Sequence, residues 1–573
     1  MARFSTRTVL LVLLSIIILS VALRYPLVDH ERYQADSYFI HFLSSSIVEK
    51  DYASWTYHPL SYFGYFPMSY PPGIPFLLAE ASDMTGLSME ATILVSGTLF
   101  GVLLALCVFL LARQFELRIE VCLIVAFLAA ASPRFIDTTY WVGSARGPMA
   151  VMMVMTILVM HRAGTMKKIP LVILILSFAL VSFTIHHMAV LFALFGFGYI
   201  IATIGVDRVL AKNRPRQNWM AAAYCGSITA LVVLASATVY GLIGDGYETF
   251  LAESDANIAG NSFLTTLIGL TISYSVQIGV AFPLALVGIL TIFRRRNVTL
   301  MNILLVATAI SFIPISGKLL YVSVVLLPYM TILAGKAVTH RGSGRPARGR
   351  RMYPAALIAL VVSAIILQSV SIERWDSSTY IGGDTVEVSD GVFNDAAYIT
   401  ASCGDEYMIS NSKIASTRLA ALTDVRIMMP GLYSAVIGDV TETDLRGNVT
   451  MSETTFPVNL YVWFQYEQDR IIRDAIYGLL TGGVSYIQTS GGLSLETRVY
   501  FEEHSHLYVA IDNRWPSQHT NEYGITISEF AQEVALSTPY EAQTGSSTSL
   551  SLSSYLIYCS ESISLYQVQL SSL

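Results

Sequence analysis

Asp29, Glu31 and Asp36 lie close together on the long stretch that separates the first two apolar segments of the chain. Further along, three short polar stretches carry Arg134, Asp137 and Arg146, then His186-His187, then Ser316-Gly317-Lys318. Carboxylates, imidazoles and fixed cations are the groups that move protons and hold anions. The first stretch, 24–88, runs for about 65 residues, where most connections are short. It adds His41, Asp51, Trp55, His58 and Ser69-Tyr70-Pro71-Pro72-Gly73. Its length and content point to an active site laid on a membrane surface.

Each residue also has a structural reading. Arg134 and Arg146 near helix ends could snorkel to lipid headgroups. The His186-His187 pair fits a satisfied interfacial turn as well as a ligand set. Asp36 fits a helix N-cap, or a carboxylate at the start of an interfacial helix, Asp36 to Leu43 and beyond, where the dipole favours negative charge. Lys318 sits between Phe312-Ile313-Pro314-Ile315 and Leu319-Leu320-Tyr321-Val322. A charge at the centre of a span costs roughly 2.5–3.5 kcal/mol, and less near its end. A partner is therefore expected, and an anionic phosphate would serve.

The elements that must position these groups follow from composition. Of 573 residues, 54% are hydrophobic and only 13% charged, the profile of a polytopic membrane protein. The net charge of −6 is too small to argue for nucleic acid or an acidic partner. Backbone amides in hydrocarbon must be satisfied within their own segment, so the apolar runs are predicted as helices. About eleven are expected, at 8–23, 89–112, 119–132, 148–161, 169–185, 188–206, 220–243, 263–293, 298–316, 319–337 and 353–370. The eighth is long and could be kinked at Pro283 or preceded by an interfacial turn. The first is followed by Arg24-Tyr25-Pro26 rather than a small-residue cleavage site, and reads as a retained anchor.

Alternate connections are basic: Arg3/Arg7, Arg113/Arg118, Arg162/Lys167/Lys168, Arg208/Lys212/Arg214/Arg216, Arg294/Arg295/Arg296 and Arg341/Arg345/Arg348/Arg350/Arg351. The positive-inside rule makes these cytoplasmic. The amino terminus is then inside, and both the 24–88 loop and the region 371–573 are outside, in a multi-pass protein of the cell membrane. That outer region reads as a mixed α/β domain. Strands are predicted near Glu406–Ser410, Leu507–Ile511 and Leu565–Gln569, with helices near Ala415–Leu422 and Asp469–Leu480 and a turn and strand over Gly482–Gln488. The serine-rich 544–554 is expected to be a loop. Cys403 and Cys559, the two outer cysteines, leave a disulfide open, and Asn448-Val449-Thr450 is a sequon.

At these residues the chain resembles the GT-C superfamily of membrane glycosyltransferases: protein O-mannosyltransferases, oligosaccharyltransferase catalytic subunits and bacterial aminoarabinose transferases. Asp36 lines up with the acid of their first outer loop. Glu49-Lys50-Asp51-Tyr52 falls where the family often has a Gly-Asp-Trp-like turn. Tyr70-Pro71-Pro72-Gly73 is similar to the Lys-Pro-Pro-Leu-like element of the aminoarabinose branch, with Tyr70 in place of its lysine. Gly317-Lys318-Leu319-Leu320-Tyr321 with Pro328 is similar to that branch's late basic element. Asp36-Ser37 stands where the transferase branch has two acids, unless Glu31 or Asp29 supplies the second. Asp137 is the sole acid of the second outer loop, so the acid set of oligosaccharyltransferases is not evident.

The resemblance implies a GT-C-like domain over 1–370 and a polyprenyl-phosphate-linked sugar donor. It also implies a lipid, glycan or protein acceptor and a location among membrane lipids. Asp36 would act as base, Lys318 and Arg146 on the phosphate, and Glu31, Asp137, His186, His187 and Tyr70 as substrate contacts. Transfer would invert the anomeric centre. A divalent metal is compatible with the acids but no ligand set is assigned. Two other classes stay open: a transporter or lipid flippase, and a surface receptor or assembly protein. Absence of a span repeat and of many mid-membrane charges weighs against transport.

Overall fold

A computed structural model describes residues 5–26, 29–32, 35–53, 62, 70–115, 117–161, 167–186, 189, 263–294, 305, 319–339, 390–403, 407–410, 413–423, 425–428, 448–451, 454–457, 506–512, 550–560 and 563–572. Apart from residues 189 and 305, the expected segments 188–206, 220–243, 298–316 and 353–370, and the predicted 469–488 helix and strand, lie outside the described residues.

The described amino-terminal helices are α1 (Thr6–Ala22), α2 (Ala35–Lys50), α3 (Gly73–Thr85), α4 (Met89–Gln114), α5 (Ile119–Ala130), α6 (Pro133–Asp137), α7 (Arg146–His161) and α8 (Lys168–Ile185). They are followed by α9 (Phe263–Ile278), α10 (Ala281–Arg294) and α11 (Leu319–Thr339). Ser5 caps α1 by accepting from the Thr8 amide at 3.1 Å, and Ser88 caps α4 by accepting from the Ala91 amide at 3.3 Å. Hydroxyls inside the apolar helices turn back on the chain. Ser15 donates to Leu11, Thr156 to Met152 and Ser182 to Phe178, so no polar atom of theirs needs water.

At 26 residues, α4 spans about 39 Å, more than the roughly 30 Å hydrocarbon core. Among the described residues it alone is long and apolar enough to cross a bilayer by itself, and the α9–α10 pair also passes if counted as one span. The other apolar helices are shorter. Leu10, Leu14 and Ile18 of α1, and Ile169, Ile173, Leu176 and Leu180 of α8, are exposed at helical spacing. Such apolar stripes turned away from the core suit lipid as the surrounding medium. The core itself lies between α4, α5, α7, α10 and α11, around Leu104, Val108, Val125, Val154, Ala285 and Leu333.

One expectation needs correction. The segment 263–293 is two helices bent by 115°, and the break falls at Gly279-Val280 rather than at Pro283. Gly279 takes a φ of +79°, which ends α9 at little cost to a residue without a Cβ. Pro283 instead sits in the first turn of α10, where the missing N–H would have had no helical partner.

The carboxy-terminal unit contains α12 (Asp390–Cys403), β1 (Tyr407–Ser410), α13 (Lys413–Leu422), β2 (Arg426–Met428), β3 (Asn448–Met451), β4 (Thr454–Pro457), β5 (His506–Asp512), β6 (Leu550–Cys559) and β7 (Ile563–Ser572). A five-stranded sheet has the order β2-β1-β5-β7-β6, while β3 and β4 form a separate antiparallel pair. β1 pairs parallel with β2 and β5, so β1-α13-β2 is a crossover unit that lays α13 against the sheet. Leu419 of α13 packs with Ile399, Met408, Tyr508, Ala510 and Leu565 in its core.

The serine-rich stretch is partly strand. β6 begins at Leu550 and pairs with β7 from Leu550↔Ser572 onward. Leu550-Ser551-Leu552-Ser553 alternates with period two, and that pattern outweighs the loop character of serine. Cys403 is buried and Cys559 exposed, and both carry thiols rather than a shared disulfide.

Candidate functional site

The long connection folds back on the connection between α5 and α7 through a series of hydrogen bonds. Arg24, just past α1, donates from Nε to Thr139 Oγ1 at 2.7 Å and from Nη1 to the Ser20 carbonyl at 2.9 Å. The Arg32 amide donates to the Trp141 carbonyl at 3.0 Å, and its guanidinium lies 4.8 Å over the Tyr140 ring. The Gly143 amide donates to Ser37 Oγ at 2.6 Å. Trp141 Nε1 donates to the Glu90 carbonyl at 3.0 Å.

Small residues make this approach feasible. A Cβ on Gly97 of α4 would come within 2.5 Å of the Thr139 carbonyl, and one on Gly101 within 2.3 Å of Arg24 Nε. Trp141 holds a φ of +48°, an expensive conformation for a bulky side chain, maintained by bonds at both its indole and its carbonyl.

Glu31 sits at the centre of this join and is 0% exposed. Its Oε1 accepts from Ser37 Oγ, and its Oε2 lies 2.7 Å from His41 Nδ1. Its own amide donates to Glu90 Oε1 at 2.7 Å, and its carbonyl accepts from Tyr38 Oη at 3.2 Å. Ser37 and His41 are four apart in α2 and share one face, so a single carboxylate grips one turn of that helix. With the Glu31 carboxylate accepting, the hydrogen of this contact is on His41 Nδ1. Burial, then the Glu31 charge, push the Tyr38 phenol well above the ordinary tyrosine range.

Asp36 is the second residue of α2, just before the Ser37–His41 turn that Glu31 holds, and its side chain lies outside the described residues. Lys318 and His187 also lie outside them. Arg146 opens α7, and its amide donates to Ser144 Oγ at 3.3 Å. Asp137 is buried and ion-paired with Arg134, three residues earlier in α6. His186 is buried at the end of α8 and bonds through its amide to the Ser182 carbonyl at 3.0 Å. Tyr70 meets Phe39 of α2 edge-on, ring centroids 5.5 Å apart. The structure thus joins Glu31, the start of α2 and the α5–α7 connection. Tyr70 abuts the same helix.

Several participants escaped the sequence reading: Arg24, Ser37, Tyr38, Glu90 and Trp141 as contacts, and His41 as the partner of Glu31. The four-residue spacing of Ser37 and His41 was a usable signal. Nothing local marked Glu90, Arg24 or Trp141. No group of three or more His, Cys, Asp or Glu suited to a metal occurs among the described residues.

No protein-family model and no curated protein sequence matches this chain. Solved structures do share its fold. The oligosaccharyltransferase of Archaeoglobus fulgidus in the apo form aligns at a TM-score of 0.55 and 12% identity, over 89% of this chain and 70% of that one. The same enzyme, AglB, in complex with an inhibitory peptide and a dolichol-phosphate aligns at 0.53 and 12%, over 88% and 69%. ArnT from Cupriavidus metallidurans in the apo state aligns at 0.51 and 11%, over 97% of both chains. These are GT-C glycosyltransferases, and the fold of this chain is theirs.

Proposed function

From that GT-C fold, we propose that the chain is a membrane glycosyltransferase moving a sugar from a polyprenyl-phosphate donor to an acceptor at the outer face of the cell membrane. In this reading the domain 1–370 carries the reaction, the amino terminus is cytoplasmic, and the domain 371–573 is extracytoplasmic. The observation that carries the reading is the closed join between the two connections, with Glu31 gripping the α2 turn that directly follows Asp36. An AglB complex with dolichol-phosphate and a peptide shares the fold, which supports a lipid-phosphate donor and a separate acceptor.

The chemistry follows from the residues. The acceptor hydroxyl or amine gives its proton to the Asp36 carboxylate as it attacks the anomeric carbon. The bond from that carbon to the phosphate oxygen breaks, and the electron pair leaves with the polyprenyl phosphate. Lys318 and Arg146 stabilise the charge that develops there. A phosphate leaves readily, so a second carboxylate acid is dispensable, and direct displacement inverts the anomeric centre. Glu31 acts through α2 as a positioning group, because both of its oxygens are taken.

The test is release of free polyprenyl phosphate when membranes carrying the full chain receive dolichyl- and undecaprenyl-phosphate-linked hexoses and pentoses. One such donor is expected to turn over, and Asp36→Asn to abolish turnover with the protein still present in the membrane. Full activity in Asp36→Asn would reject the base assignment. Movement of the lipid across vesicles without turnover of any donor would favour a flippase instead.

A further inference from the structure

Arg418 is a buried cation of the carboxy-terminal unit that the proposed mechanism does not use. It lies on α13 of the carboxy-terminal unit, is 1% exposed, and stands with Cζ 6.0 Å over the ring of Tyr38 on α2. Tyr38 is the residue between Ser37, which donates to Glu31, and the turn that ends at His41. Its own hydroxyl reaches the Glu31 carbonyl.

The contact is part of a wider seam. Tyr38 is fully buried with Val392 of α12, and Phe393, Ala421 and Leu422 pack around them. His30, next to Glu31, stacks on Phe393 with ring centroids 3.6 Å apart. On α13, Leu419 points into the sheet core while Arg418, Ala421 and Leu422, at i, i+3 and i+4, form the face toward α2. The helix is anchored by its sheet and presents one cation to the turn that holds Glu31.

A guanidinium over an aromatic face in a desolvated site is attracted by the ring quadrupole. Its charge also opposes that of Glu31 at the Tyr38 phenol. We infer that Arg418 is a positioning residue of the transferase site: the carboxy-terminal unit presses it on Tyr38 and so fixes the start of α2, which Glu31 grips and which bears Asp36. The carboxy-terminal unit would then be a working part of the site, joined to it through α12 and α13. This inference rests on the reading of Glu31 and Asp36 given above.

Two measurements on the purified full chain test it, with wild type, Arg418→Ala and Arg418→Lys compared. The first is amide hydrogen exchange by mass spectrometry. Arg418→Ala is expected to speed exchange over 29–50 and leave α4 and α7 unchanged. The second is turnover of the dolichyl- or undecaprenyl-phosphate sugar that wild type accepts. In Arg418→Ala, kcat is expected to fall by about tenfold or more with KM within about twofold, and Arg418→Lys to recover part of the loss.

Unchanged exchange over 29–50 overturns the inference, as does faster exchange throughout the chain. A raised KM with wild-type kcat overturns it too, since that marks a substrate contact. Faster exchange over 29–50 with unaltered kcat shows a packing contact alone and also overturns it. If wild type turns over no lipid-phosphate sugar, the transferase reading fails separately, and the exchange result still decides whether Arg418 holds α2.

Discussion

His41 Nδ1 lies 2.7 Å from Glu31 Oε2, and both side chains are closed off from solvent. Ten residues of chain separate them, and the loop between is tied down at Ser37 and Tyr38 as well. A buried carboxylate with this many bonds does structural work before it does anything else, because each lost bond leaves a desolvated oxygen without a donor. His41→Ala is expected to destabilise the protein by about 1–3 kcal/mol. Thermal unfolding in detergent against wild type measures this, and an unchanged midpoint would show that the pair contributes nothing.

Arg134 and Asp137 form a buried ion pair on the short helix α6. Removing one partner of such a pair is costly, while replacing both can be nearly neutral. Asp137→Leu is expected to lose about 3–5 kcal/mol, and the Arg134→Met, Asp137→Leu double variant to regain most of it. Were Asp137 mainly a substrate contact, the single variant would keep its stability and show a raised KM instead. Denaturation and donor kinetics on the same samples separate the two.

Gly97 faces the Thr139 carbonyl, which a Cβ would approach to 2.5 Å. Backbone cannot swing aside as a side-chain tip can. Gly97→Ala is therefore expected to push the α5–α7 connection away from α4, costing about 1–3 kcal/mol and weakening the join to Ser37. Faster hydrogen exchange at residues 139–145 checks this. Protection equal to wild type there would refute the steric argument.

Tyr38 gives a pH dependence of known sign. Its phenol is held above the ordinary value of 10.0 in the folded protein, by burial first and Glu31 second. Below that value both folded and unfolded states keep the proton, and the contribution is fully present. Above it the unfolded chain releases the proton while the native state retains it, so stability falls as pH rises. Tyr38→Phe is expected to lose less stability than wild type between about pH 9 and 11, where tyrosine titrates when unfolded. Parallel slopes for the two proteins over that range would exclude the effect.

Much of the helical layout was legible because its signals are local. Apolar runs, ended by basic residues or glycine, place α1, α4, α5, α7, α8 and α11 within about two residues of the helices observed. The same holds for the helix beginning near Asp36 and for the β1-α13 pair, where periodicity sufficed. The break at Gly279 was misplaced at Pro283, since a left-handed glycine and a tolerated first-turn proline look alike in a string of letters.

The chain by itself determined its apolar helices and the placing of Asp29, Glu31 and Asp36 on the 24–88 connection. Each depends on composition and on neighbours a few residues away. Only the tertiary structure decided that Glu31 faces inward to Ser37 and His41, that Arg24 reaches Thr139, and that Arg418 arrives over Tyr38 from nearly four hundred residues later. Such pairings depend on how whole helices pack, with Gly97 and Gly101 clearing the space. Sequence periodicity can mark the face a helix buries, but what meets that face is decided by packing.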